Sequence, residues 1–180
     1  WRGLVERRPD NPVVLLHLGL AFEADNNWRQ AAETYGRMIK LDCSSNDVRL
    51  RLGSVLVRAG DIDEGVRTLQ EATTGETTND PETPSLLQLA GNALLEAKQP
   101  EQAERMYRLA AEKKPEDGFT RLQLGDALFQ QKKIEDAMEA WKQTILLEPE
   151  SPMAAQAARL INQRLTPEKR LPYWRTFDKQ

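Results

Sequence analysis

The sequence predicts an all-α solenoid of antiparallel helix pairs, and three recurrent features predict it. A Leu-Gly or Ala-Gly pair returns at Leu18-Gly19, Leu52-Gly53, Ala90-Gly91 and Leu124-Gly125, so the glycines are 34, 38 and 34 residues apart. Twelve residues after each glycine stands a small residue, Ala31, Gly65, Ala103 or Ala137, and four further on a large one, Tyr35, Leu69, Tyr107 or Trp141. Seven residues before each glycine comes a helix-start signal: Asn11-Pro12, Ser45-Asn46, Thr83-Pro84 and Asp117-Gly118, repeated at Ser151-Pro152. Self-similarity at this period marks supersecondary units stacked in a row.

Each element has a local reason. Asn, Ser, Thr and Asp cap the first free N–H groups of a helix, and Pro is tolerated in the first turn, where its missing N–H is not needed. Between caps the apolar residues fall at helical spacing, as in Leu15, Leu18 and Phe22, in Leu87, Leu94 and Leu95, and in Ile134, Met138, Trp141 and Ile145. No window alternates with a period of two. Each repeat therefore reads as two helices of roughly a dozen residues joined by a short turn, clearest at Gly60-Asp61, and must stack on its neighbours to cover its apolar face. The second interval is longer because residues 73–82 contain no large apolar side chain and form an inter-repeat loop.

The order of these residues, with Pro115 and Pro149 just before the next cap, resembles the tetratricopeptide repeat (TPR) pattern over residues 9–165. Gly65 in place of alanine, Ala90 in place of leucine, and Cys43 and Thr77 in place of the closing proline depart from it. The resemblance implies a right-handed superhelix. It places the glycine of the first helix against the alanine of the second, with Tyr35, Tyr107 and Trp141 filling the space between successive pairs. The expected division is 1–11 as the end of a preceding repeat, repeats at 12–45, 46–83, 84–117 and 118–151, a capping helix at 152–165 and an aromatic tail at 166–180. Trp1 lies one period before Tyr35, so the chain is expected to be a piece of a longer array.

With 25 Lys+Arg against 28 Asp+Glu and a net charge of -3, the chain lacks the basic footprint of a nucleic-acid binder. No apolar run approaches the ~20 residues needed to cross a bilayer. One cysteine, Cys43, and one histidine, His17, are too few for an internal disulfide or a zinc site, so neither metal nor cofactor is expected. Cys43 reads as an inert thiol and His17 as a surface residue. Asp61, Asp63, Glu64, Glu101 and Glu104 read as solvated charges at helix starts, where they suit the helix dipole. No phosphate loop or catalytic constellation is present, and the chain is read as a non-enzyme.

The family implies that the inner wall, lined by the first helix of each pair, binds a partner protein or peptide. Counted from the glycines, that wall holds Val13 and Phe119, then Leu16, Leu50, Gln88 and Leu122, then Leu20, Asn92 and Asp126, and last Val57, Leu95 and Phe129. Such a groove suits an apolar or amphipathic segment. Gln88 and Asn92 have no Lys or Arg beside them, so the clamp by which chaperone-binding members hold a C-terminal carboxylate is not expected. The alternatives are self-association through the repeat ends, using Trp1, Tyr173, Trp174 and Phe177 that otherwise serve as caps, and an accessory role in a larger enzyme or assembly machine.

Overall fold

The structure, a computed structural model, describes residues 10–41, 45–74 and 81–164. Among them are nine α-helices: α1 Pro12–Ala24, α2 Trp28–Lys40, α3 Asn46–Ala59, α4 Ile62–Thr73, α5 Thr83–Glu96, α6 Pro100–Lys113, α7 Gly118–Gln130, α8 Ile134–Leu147 and α9 Pro152–Arg164. No strand occurs among the described residues. The chain divides into two units, Trp1–Met106 and Tyr107–Gln180, with the division inside α6. Cys43, Trp1, Tyr173, Trp174 and Phe177 lie outside the described residues, as do the middle of the expected inter-repeat loop and the aromatic tail.

Four of the five cap signals open a helix as expected. The Asn11 carboxamide oxygen accepts from the Val13 and Val14 amides at 3.0 and 3.2 Å, Ser45 Oγ from Val48 at 3.3 Å, Asp117 from Thr120 at 2.8 Å, and Ser151 Oγ from Ala154 at 3.1 Å. Thr83 departs from its expected role. It is the first residue of α5 rather than the residue before it, it is buried, and its hydroxyl donates to Asp47 Oδ1 of α3 at 3.1 Å. A hydroxyl taken out of water requires a partner, and the neighbouring carboxylate supplies one that the amides of its own helix would otherwise have been.

The turns inside the four helix pairs are one structure used four times. Asn26, Gly60, Lys98 and Lys132 all adopt left-handed backbone conformation, with φ of 57°, 98°, 58° and 63°. The next amide in each turn reaches back five residues, Asn27 to Phe22 O at 2.8 Å, Asp61 to Leu56 O at 3.0 Å, Gln99 to Leu94 O at 2.8 Å and Lys133 to Leu128 O at 3.0 Å. This is the Schellman closure, which satisfies carbonyls left open at a helix end and reverses the chain within three residues. Gly60, and less strongly Asn26, advertise it by residue type; Lys98 and Lys132 are held in αL by the closure bond.

In the first unit α1 packs on α2, α2 on α3, and α3 on both α4 and α5; in the second, α8 packs on α7 and α9, and α9 also reaches α7. The glycines set how near the helices come. A Cβ on Gly19 would stand 2.4 Å from Tyr35 Cε1, one on Gly125 2.4 Å from Trp141 Cδ1, and one on Gly53 2.6 Å from Leu69 Cγ. All are far inside van der Waals contact. The large residue of the second helix is thus seated on the glycine of its own pair, and Tyr35 also belongs to one buried cluster with Val48 and Val55 of α3 in the next pair. Both rings are essentially inaccessible to solvent. Thr144, also buried, ties the same α7–α8 pair by donating to Gly118 O at 3.4 Å and Ala140 O at 3.2 Å.

Gly65, a departure from the repeat pattern, has a reason in packing. A Cβ there would meet Val57 Cγ2 at 2.6 Å, Gly53 O at 2.9 Å and the Val57 amide nitrogen at 2.9 Å. Two of those atoms are backbone and cannot rotate away. Gly36, by contrast, has nothing within 4 Å of its Cβ position. Gly36→Ala in α2 should therefore gain up to ~1 kcal/mol from helix propensity. Gly65→Ala should lose about 1–3 kcal/mol despite the same propensity gain, because backbone must move to admit the methyl group. Thermal or urea unfolding of the two variants measures both signs.

Candidate partner-binding groove

The positions counted from the glycines do not share one environment. Leu50, Val57 and Leu122 are buried at 0, 4 and 2% exposure, and Val57 also lines a cleft. Leu16, Leu20, Gln88, Asn92 and Leu95 in the first unit, and Phe119, Asp126 and Phe129 in the second, are half-buried, and Val13 is 63% exposed. Period alone cannot separate these classes, because a side chain facing the adjacent first helix and one facing the open wall differ by less than one helical step. Phe129 leans on Trp141 with ring centroids 5.7 Å apart and an interplanar angle of 34°, so only part of its ring is available.

A polar network crosses the first unit beside these apolar positions. The buried Tyr35 hydroxyl of α2 donates to Glu23 Oε1 of α1, and the Arg51 guanidinium of α3 lies 3.6 Å from that same oxygen and 3.6 Å from Glu82 Oε2. The Glu23 and Arg51 side chains are 14 and 17% exposed, whereas Glu82 is largely in water. Burial of the phenol and its bond to Glu23 hold the Tyr35 proton well above the ordinary value of 10.0. Three successive helices are thereby joined through one carboxylate oxygen. Nothing in the repeat period signals Arg51, which differs in type from the residues at the same place in the other repeats.

Farther along, Arg58 of α3 stacks over Trp28 at 5.0 Å from the ring centroid and lies 3.5 Å from Glu96 Oε1 of α5. The pair forms the shared wall of two clefts. One, about 350 Å³, is lined by Glu23, Asn26, Ser54, Val55 and Leu89 as well; the other, about 260 Å³, adds Val57, Ile62, Ala93 and Glu96. Trp28 occupies the column of Ile62, Pro100 and Ile134, three residues before each small residue, so spacing does locate it as the opening residue of a second helix.

His17 is exposed, as are Asp61, Asp63, Glu64 and Glu101, but Glu104 is buried at 9%, which corrects its reading as a solvated charge. It lies in the second turn of α6 and not at its start. No cluster of His, Cys, Asp and Glu able to hold a metal ion occurs among the described residues, and none of the described helices is long and apolar enough to cross a membrane.

The Tyr35 bond makes stability depend on pH. Its proton is held above the ordinary value in the folded chain, so the folded state binds that proton more tightly than the unfolded one. The resulting stability is complete below about pH 10 and is lost as pH rises beyond it. Unfolding of the parent should therefore become easier above pH 10 by a larger step than that of Tyr35→Phe, and the stability gap between them should narrow. Melting curves at pH 8, 10 and 11 would show it; a gap that stays constant would contradict the burial of that proton.

Comparison with known proteins agrees with this geometry. One tetratricopeptide repeat model matches residues 16–84 and 50–118, and a second matches residues 94–161. No curated protein matches the chain. Among solved structures, one of MamA superposes with a TM-score of 0.67 at 19% identity, covering 83% of this chain and 85% of that one. YrrB, described as a TPR protein with an unusual peptide-binding site, superposes with a TM-score of 0.63 at 18% identity, covering 94% of this chain and 86% of that one. An all-α TPR solenoid is the fold in each case, and by the family models, which together span most of its length, the chain belongs to the tetratricopeptide repeat family.

Proposed function

We propose that this chain is a protein-binding scaffold that takes an apolar or amphipathic segment of a partner along the first helices of its repeats. The observation that supports this is the set of half-buried apolar side chains on those helices, Leu16, Leu20 and Leu95 in one unit and Phe119 and Phe129 in the other, with Leu95 and Phe129 at the same place in their repeats. Apolar groups held at a partly wet surface gain from a partner that completes their burial. Gln88, Asn92 and Asp126, interspersed among them, suit the backbone of such a segment. YrrB, similar in fold, is named for binding a peptide, which fits this use of the architecture. In this reading the repeats run 12–45, 46–83, 84–117 and 118–151, with α9 closing the row.

Leu50, Val57 and Leu122 serve this function from beneath, by fixing the helices whose outer residues make contact. Leu20→Glu and Leu95→Glu place charge on the proposed surface without opening the core. Each should weaken capture of a partner by about tenfold or more while leaving the melting temperature within a few degrees of the parent. Leu146→Glu, at a position 77% exposed on α8 and outside the row, should leave capture unchanged. Partners isolated with the parent chain and then titrated against the three variants provide the measurement, and equal binding by all would remove the groove from consideration.

A further inference from the structure

The second unit contains a charged cleft that the groove reading does not use. About 350 Å³ in volume, it lies between the C-terminal half of α6 and α7 and is lined by Arg108, Ala111, Glu112, Pro115, Arg121 and Leu124. None of the positions assigned to the groove lines it. Its distinctive member is Arg121. This side chain is half-buried, its Nε is enclosed by protein without any hydrogen-bond acceptor, and Nη1 donates to Gln143 Oε1 at 2.8 Å. Gln143 is neutral and passes the contact on only weakly, its own amide donating to Glu139 Oε1 at 3.4 Å, while Glu139 faces Lys142 at 3.9 Å. Among the described residues no carboxylate stands within ion-pair distance of Arg121.

A guanidinium partly withdrawn from water without an anion is unfavourable. The cost falls when a negative group enters. The remainder of the lining, Ala111, Pro115 and Leu124, is apolar and gives a carboxylate surroundings of lowered dielectric, in which its attraction to arginine is strengthened. Glu112, exposed on the rim, opposes a second negative charge and so favours a monoanion. We propose that this cleft is an anchor site for a single carboxylate side chain, an Asp or Glu flanked by apolar residues in a partner protein, bound by Arg121 with Arg108 assisting. The planar guanidinium matches a carboxylate in shape as well as charge. This inference stands apart from the groove: Leu20→Glu, in the other unit, should not affect it.

The test uses the whole chain, labelled with ¹⁵N, and follows the arginine side-chain Nε–Hε resonances, that of Arg121 being assigned by its loss in Arg121→Gln. The probes are a blocked pentapeptide Ala-Leu-Glu-Leu-Ala, the same peptide with Gln for Glu, and inorganic phosphate. The Glu peptide should shift the Arg121 resonance saturably. The Gln peptide and Arg121→Gln should each bind about tenfold more weakly or worse, and Arg108→Gln several-fold more weakly. Should Arg121→Gln melt early, the Glu/Gln peptide pair and Arg108→Gln still decide the matter. Saturation by phosphate with none by the Glu peptide would mark a small-ion site and overturn the proposal. Equal binding of the two peptides, or no saturation by either, would mark Arg121 as structural and overturn it too.

Discussion

The constraint on which this chain depends is the absence of a Cβ at one position of each first helix. At Gly19, Gly53 and Gly125 the nearest atoms of the second helix stand 2.4 to 2.6 Å from where a methyl group would be. No side chain other than hydrogen fits between. The helices can then approach until Tyr35, Leu69 or Trp141 covers the bare backbone, and each of these large side chains becomes fully buried in doing so. Dispersion attraction across so large a surface is weak for any one pair of atoms and decisive in total. A helix pair held at that distance is a unit that can stack on another of its kind.

Polar groups are admitted only where the stack supplies partners for them. Tyr35 is buried to its hydroxyl, and the hydroxyl ends at Glu23, whose charge is answered by Arg51 from the next repeat. Thr83 is drawn from its expected capping role to Asp47 in the same way. The Arg51–Glu23 and Thr83–Asp47 bonds join first helices of neighbouring repeats, so the apolar packing that fixes distance is supplemented by polar bonds that fix register. Arg121 breaks this habit. Its positive charge is turned inward with only a neutral carboxamide to meet it, which is why it invites a ligand where Arg51 does not.

Much of this was legible in the sequence, and the reason is the strictness of the glycine. A residue that only hydrogen can replace recurs at a readable interval, and the small and large residues sixteen positions or fewer beyond it confirm the frame. Caps at Asn11, Ser45, Asp117 and Ser151 were equally plain because their chemistry is local. The turns were half legible: Gly60 and Asn26 are residue types that favour left-handed backbone, whereas Lys98 and Lys132 are placed there by a closing hydrogen bond that sequence does not reveal. The groove positions were least so. Leu20 and Val57 stand one and four residues after the glycines of their helices, yet one is half-buried and the other core, since burial is decided by what packs opposite. Gly65 misled for a related reason: it reads as a weakened alanine, while the backbone of Gly53 and Val57 leaves room for nothing larger.

In the proposed function the contacting side chains are those that the close-packed pairs leave half covered, and their spacing is only as regular as the pairs themselves. The claim that glycine against a large side chain sets the pair is therefore the one to test. A double-mutant cycle on Gly125→Ala and Trp141→Leu, followed by urea unfolding, does so directly. If the contact sets the spacing, each single change destabilises, and the double variant is more stable than their sum by about 1 kcal/mol or more, because the smaller side chain makes room for the methyl group. Strict additivity of the two changes would contradict the account.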